Sequence, residues 1–586
     1  MTRDQARIED LKSGIALLLR VLSRYRAIAI RSILGALVWM AMIITIPYLI
    51  GLVIDRSVDP TDPAVAWMVL GGMLVAGSIQ AIGISMRRYF GFKLSYRAET
   101  DIRNRIFAHI QRMAFSFHDV TSTGELMARA SSDLSQLRLI LAMLPITLAN
   151  LSMFILVSAV LVIVDPVLGA VAALMVPALL FASARFANRV VGYSFDLQRR
   201  LSELSHVVEE SVSGIEVVKS YGQEAQQQAK LDYKAETIYD AAMGMAKERA
   251  IHRPFFEIIP ALGTVAVLAV GGVRVVDGAI TIGEFVSFTQ YLAVMVLPLM
   301  ITGWFFANLP RAAAAASRID RLLETDPAID DPRTPTDLGQ GNGSIRFENV
   351  SFTYPDGTEV LKGVSLTIPG GTSVGVVGAT GSGKTTLAHL IPRFYDTTDG
   401  TVSIDGVDVR EVGLDQLRSE VSVVFQETFL FSASIADNIR VGDPLASDHQ
   451  VRSAARLARI HEFVCALPDG YDTVVGERGA TLSGGQRQRV SLARGVVRDP
   501  RILILDDATS SVDAVVEADI QEALRQVMSG RTTVIVAHRT STLALVDNVA
   551  FIEDGELAAF GPHEALLADV PRYGEVLAAT VGPVQA

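Results

Sequence analysis

The sequence predicts a chain of two parts. The first is an N-terminal all-α, six-helix transmembrane domain with long cytoplasmic helical extensions; the second is a C-terminal α/β domain around a parallel sheet. Three observations predict this. Half of the 586 residues are hydrophobic, and in the N-terminal half they gather in runs long enough to cross a bilayer. After a stretch rich in Pro, Gly and Asp, the texture changes to short β-prone runs alternating with helices. A glycine-rich loop lies between one such strand and the helix that follows.

Spanning a hydrocarbon core of about 30 Å takes roughly 20 apolar residues as helix. Six segments qualify: 32–54, 63–86, 139–164, 166–184, 258–273 and 285–310, the fifth short by itself and extended by its flanks. Only Asp165 and Pro166 separate the third from the fourth, which predicts a tight hairpin turn. Lys and Arg set the orientation. The connections 55–62, 165 and 274–284 carry Arg56, none and Arg274, whereas 87–138 and 185–257 carry about nine or ten each. Both termini and the two long loops are therefore expected in the cytoplasm of a multi-pass protein of the cytoplasmic (inner) membrane. No cleavable signal peptide is apparent, and the run Ile15–Leu22, broken by Arg20, reads as an amphipathic helix along the membrane surface.

The loops 87–138 and 185–257 are too long for simple connections and keep a helical period. The spans are expected to continue into the cytoplasm and bend back. The bends fall at FHDVTSTGEL (117–126), around His118, Asp119 and Gly124, and at EESVSGIEVVKSYGQE (209–224), around Gly214. No span carries a charge at its middle, which disfavours an ion-coupled pump. Trp39, Tyr48, Trp304, Phe305 and Phe306 are candidates either for an apolar substrate cavity or for ordinary lipid and helix contact. The net charge of −11 argues against nucleic acid as a partner, and Cys465, the only cysteine, excludes an intrachain disulfide.

Residues 1–324 thus form the membrane domain, 325–344 a linker, and 345–586 the α/β domain. In the last, SVGVVGATGSGKTT matches the phosphate-binding P-loop in full: Gly378, Ala379, Thr380, Gly381, Ser382, Gly383, Lys384 and Thr385, followed by Thr386. Its glycines let backbone N–H groups curl around phosphates, the helix N-terminus adds positive potential, and Lys384 reaches the β- and γ-phosphates. The Thr385 hydroxyl belongs on Mg²⁺, together with an acid at a strand end, for which Asp506 in ILILDD fits. Asp507 is then the neighbour able to orient or deprotonate water. TLSGGQRQRVSLARG (481–495) makes a second anion-binding helix start. One nucleotide does not need two such cradles on one domain; a dimer does, each cradle closing over a nucleotide on the partner's P-loop.

With the P-loop, LSGGQ and Asp506 on one chain behind six spans, the sequence resembles an exporter-type (type IV) half-transporter of the ATP-binding cassette (ABC) superfamily over nearly its whole length. The resemblance implies ATP and Mg²⁺ as cofactors. It implies that Tyr354 stacks on adenine, that Gln426 contacts Mg²⁺ and water, and that Glu477 lies near the coupling segments. It further implies that Ser483, Gly484, Gly485 and Gln486 contact the partner's ATP, that Asp513 links the two sites, and that His538 contacts the γ-phosphate. Where this family typically has Glu, the chain has Asp507, one methylene shorter. A misplacement of about 1 Å can cost roughly 10²-fold in rate. Heterodimeric members often pair such a weakened acid with an intact LSGGQ, so the chain is expected to be the degenerate-site subunit of a heterodimer, with a slow homodimer as the alternative. The expected function is that of a translocase: ATP hydrolysis coupled to movement of a hydrophobic or amphipathic solute such as a lipid, drug, peptide or siderophore. Export and uptake both remain open, and a nucleotide-gated channel is the more distant reading.

Overall fold

The computed structural model describes residues 3–58, 63–252, 254–476, 479–507, 514–537 and 540–581. The chain divides into two compact units, one of residues 1–111 and 123–325, the other of residues 112–122 and 326–586.

The first unit is helical. Its elements are α1 (Arg3–Arg24), α2 (Arg26–Val58), α3 (Pro63–Arg112), then, after the short α4 (Phe115–Val120) of the other unit, α5 (Thr123–Ala128) and α6 (Leu134–Val164). They continue with α7 (Pro166–Ser213), α8 (Ile215–Ser220), α9 (Glu224–His252), α10 (Phe255–Val276) and α11 (Ile282–Glu324). Each of the six expected apolar segments lies within one of α2, α3, α6, α7, α10 and α11. At 1.5 Å per residue the 50-residue α3 is about 75 Å long, far beyond a bilayer core, so much of it must extend outside. Among the described residues, the stretches Arg26–Arg56, Trp67–Arg112, Thr123–Val164 and Glu224–Val276 are long and apolar enough to cross a membrane. Trp67, Leu74, Ile155 and Ile163 turn outward, which lipid tolerates and water would not.

Local chemistry explains the helix ends and crossings. Asp165 breaks the run between α6 and α7: its carboxylate accepts from the N–H groups of Val167 and Leu168, Pro166 opens α7, and Arg274 donates to it at 2.5 Å. Asp55 accepts from Thr281 Oγ1 at 2.6 Å and from Gly283 N at 2.7 Å. These bonds join α2 to the start of α11, and the α6–α7 turn to the end of α10. Where α2 crosses α3, a Cβ on Gly83 would stand 2.7 Å from Trp39 N, so only glycine permits the approach. Inside the bundle, polar groups find carbonyls: Tyr291 donates to Ile44 O at 2.7 Å and Asn150 to Pro298 O at 3.4 Å. The segment 15–22, expected along the membrane surface, has its apolar stripe of Leu17, Leu18 and Val21 buried, and α1 packs on α11. Gly14 lies against Ala313, and Arg20 pairs with Asp320 at 2.5 Å. Small residues at 312–316 of α11 leave room for this docking.

The second unit carries two sheets. The antiparallel one runs β2-β1-β4-β5, with β1 (Ile345–Thr353), β2 (Glu359–Ile368), β4 (Asp399–Ile404) and β5 (Val407–Asp408). The other runs β10-β9-β3-β8-β7-β6, with β3 (Ser373–Val377), β6 (Val421–Val424), β7 (Ile502–Asp506), β8 (Thr532–Val536), β9 (Asn548–Glu553) and β10 (Glu556–Gly561). It is parallel except for the β9–β10 edge. β3, β7 and β8 are buried at every position, which is why they read as unbroken apolar runs. Residues 326–344 have neither helix nor strand, and Ile329 and Leu338 of this stretch are buried.

Candidate functional site: a phosphate-binding loop and its acids

The carboxyl ends of β3 and β7 open on the same edge of the parallel sheet, where α/β proteins place their ligands. From β3 the chain turns through Gly378–Gly383 into α12 (Lys384–Leu390). Gly383 sits at φ +101°, and a Cβ there would meet Leu361 Cδ2 at 2.7 Å. Gly381, at φ +84°, stands at the exposed tip beside Ala379 and Thr380, with open space where a side chain would be. The loop is thus a backbone-lined cradle at the start of a helix.

Lys384 is buried, and its Nζ donates to Gly378 O at 3.0 Å and Ala379 O at 2.8 Å. Burial pushes its ammonium pKa below the usual lysine value, against the pull of Asp506 and Asp507. Among the described residues, the buried Ser382 Oγ has no hydrogen-bond partner. A buried hydroxyl without a partner among the described residues and a lysine that donates to its own loop fit an anionic phosphate. Thr385 Oγ1 donates to Asp506 Oδ1 at 3.2 Å, so the hydroxyl and the strand-end acid expected to share a magnesium ion already meet. The residues present therefore fit both groups.

Asp507 is buried beside Asp506 in the left-handed region at φ +44°, its N–H donating to Val536 O. Gln426, just past β6, donates from Nε2 to Asp507 Oδ2 at 3.0 Å. Tyr354 follows β1; its hydroxyl lies 3.0 Å from Thr386 Oγ1, and its ring meets Phe352 and Tyr395 edge to face. Tyr354, Gly378–Thr386, Gln426, Asp506 and Asp507 are therefore brought together.

Ser483, Gly484, Gly485 and Gln486 are not part of that cluster. Ser483 caps the helix Gly484–Val496, in a capping box with Gln486. Among the described residues no hydrogen bond links these four to the P-loop. Glu477, Asp513 and His538 lie outside the described residues.

Two features escaped the motif reading. His389, on α12, is 3.9 Å from Asp506 Oδ2 and packs edge-on against Phe394 and Phe425. Burial lowers its pKa and favours the neutral ring. The segment 112–122 is also seated in this unit: Phe115 stacks on Phe394 with centroids 4.4 Å apart, and Tyr395 donates to Asp119 at 2.8 Å. The aromatic pair after α12 was the available signal, but nothing local tied it to residues some 280 positions earlier.

A P-loop, a strand-end acid pair and a separate glycine-led helix start, attached to a bundle of bilayer-length helices, define a membrane protein with a nucleotide-binding cassette. Family models agree: "ABC transporter transmembrane region" matches residues 28–299 and "ABC transporter" residues 361–510. The chain belongs to the ABC transporter family, with an N-terminal helical transmembrane domain and a C-terminal nucleotide-binding domain. It is 37% identical over 544 residues to a multidrug efflux ATP-binding/permease protein of Mycobacterium bovis, covering 93% of this chain but 45% of that protein. It therefore spans about half the length of that relative. It is 34% identical over 550 residues to an ATP-dependent lipid A-core flippase of Syntrophus aciditrophicus, covering 93% of this chain and 89% of that one. The structure of a bacterial Atm1-family ABC exporter with ATP bound matches with a TM-score of 0.78 at 28% identity, covering 96% of this chain and 99% of that one.

Proposed function

We propose that the chain is one subunit of a two-subunit ABC transporter that uses ATP to move a hydrophobic or amphipathic solute across the cell membrane. Efflux, flippase and exporter relatives favour export over uptake. Both termini and the bends near Asp119 and Gly214 face the cytoplasm in this reading, in keeping with the distribution of Lys and Arg.

The P-loop backbone, Ser382 and Lys384 hold the phosphates, and Tyr354 offers its ring to the adenine. Thr385, Asp506 and Gln426 would hold magnesium, which neutralises phosphate charge and aligns the γ-phosphate when bound. Ser483–Gln486 face a nucleotide on the second subunit's P-loop; in support, among the described residues no hydrogen bond joins them to the chain's own. Asp507 is the group to accept a proton from the attacking water; Glu477, Asp513 and His538 keep the roles that the family resemblance implies.

The observation that carries the unequal pairing is Asp507 itself. Its carboxylate is one methylene short, buried, and held by Gln426. A base drawn back from its water by about a bond length leaves ATP bound for longer and hydrolysed slowly. A heterodimer follows, in which the second subunit's P-loop site, completed by this chain's LSGGQ, turns over. Steady-state ATPase assays of the purified chain, alone and with candidate partners, test it. The chain alone is expected to be at least about tenfold slower than the pair, and Asp507→Glu to raise its rate by roughly 10–100-fold. Full-rate hydrolysis by the chain alone, unchanged by Asp507→Glu, would establish the homodimer instead.

A further inference from the structure

Between α3, α6 and α11 lies a cavity of about 720 Å³, within the usual range for small-molecule sites. Phe92, Met143, Ile146, Ile301 and Trp304 give it apolar walls, yet Arg87 and Arg88 of α3 also line it, and among the described residues no acid does. The Arg87 guanidinium lies 5.1 Å from the centroid of the Trp39 ring, and its enclosed Nε has no hydrogen-bond partner among the described residues. Its backbone is fixed, because Ser32 donates to Arg87 O at 2.9 Å and a Cβ on Gly35 would stand 2.6 Å from Arg87 N. Glu99, farther along α3, is taken by Arg103 at 2.7 Å and Arg138 at 3.5 Å. Among the described residues, neither Arg87 nor Arg88 has a carboxylate in ion-pair range. Two adjacent cations without a carboxylate between them repel each other, and an anion seated in the cavity would relieve that repulsion.

We propose that this cavity is the substrate site and that its substrate is an anionic amphiphile. A phosphate, sulfate or carboxylate head is held by Arg87 and Arg88, and an apolar body lies along Phe92, Met143, Ile301 and Trp304. The charge complements what the cavity lacks, and guanidinium groups suit phosphate and carboxylate oxygens. The pair is distinguished from an ordinary belt of bilayer-facing arginines by Arg87, which lies against Trp39 with its Nε covered. The inference rests on the transport reading above and adds the sign of the substrate's charge.

The test places the full-length chain, with its partner subunit where one is required, in phosphatidylcholine vesicles. Three fluorescent probes share one acyl body and carry an anionic phosphoglycerol, a zwitterionic phosphocholine or a cationic trimethylammonium head. Wild type is expected to bind the anionic probe, and to move it with ATP, at least about tenfold in preference to the cationic one. Replacing both arginines (Arg87→Gln with Arg88→Gln) is expected to abolish that preference, while Arg87→Lys with Arg88→Lys keeps most of it, showing that charge rather than folding is read. Trp304→Ala should weaken binding of all three probes. Indifference of wild type to head charge, or a preference that survives the glutamine pair, overturns the inference while leaving transport standing. Loss of a co-purifying anionic phospholipid with unchanged movement of the anionic probe also overturns it, making the pair a seat for bilayer lipid. Charge-selective binding in wild type with no probe moved by ATP would instead support the site and remove the transport reading.

Discussion

Gly383 meets two demands at once, a left-handed φ of +101° and a neighbouring side-chain carbon 2.7 Å from where a Cβ would stand. Gly383→Ala should therefore strain the loop by about 1–3 kcal/mol and spoil the cradle. The expected readout is a thermal midpoint that ATP no longer raises, whereas in wild type saturating nucleotide raises it by mass action. In the proposed site Tyr354 gives its ring to adenine and its hydroxyl to Thr386. Tyr354→Phe gives up only the bond to Thr386 and should change nucleotide affinity less than about threefold. Tyr354→Ala removes a stacking surface of about 1–3 kcal/mol and should weaken binding by roughly 10–100-fold, as read by equilibrium titration with a fluorescent ATP analogue. The P-loop was legible at this scale because its requirements, glycine at positive φ and lysine at a helix start, are written in consecutive residues. His389 was not legible, because a histidine inside a helix has no signal until Asp506, Phe394 and Phe425 surround it.

Helix ends supply the next level. Asp165 caps α7, accepts from Arg274 and is almost wholly buried. Asp165→Asn keeps an oxygen for the cap but loses the ion pair. Asp165→Ala loses both and leaves Arg274 without its partner. Thermal denaturation in detergent should rank wild type above Asn above Ala, with the cap alone contributing about 0.5–2 kcal/mol. Elements of this kind were readable in advance: the apolar runs marked the helices, and Asp165-Pro166 marked the turn between two of them. The docking of α1 was not readable, since a stripe of Leu17, Leu18 and Val21 suits a lipid surface and a helix groove equally. The run 312–316 that receives it lies some 300 residues away. The cavity beside Arg87 was hidden for the same reason: three helices must meet before two arginines at a span's end become its wall.

At the scale of the whole molecule, the chain passes from one unit to the other at 111–112, 122–123 and 325–326. The short excursion carries Phe115 and Asp119 into the nucleotide-binding unit and is covalently continuous with α3 and α5 on either side. Phe394 lies next to Phe425, which precedes Gln426, and Tyr395 lies next to Tyr354, so the seat of this excursion adjoins two residues of the proposed nucleotide site. Phe115→Ala with Asp119→Ala should leave nucleotide affinity within about twofold while solute moved per ATP hydrolysed falls severalfold, measured by paired transport and phosphate-release assays on the same vesicles. The same excursion bears on how the soluble half can be handled. A fragment cut cleanly at residue 325 would lack 112–122, leaving one face of Phe394 bare and the Tyr395 hydroxyl without its carboxylate. Such a piece should self-associate in solution, and a synthetic peptide of residues 112–122 should keep it monodisperse.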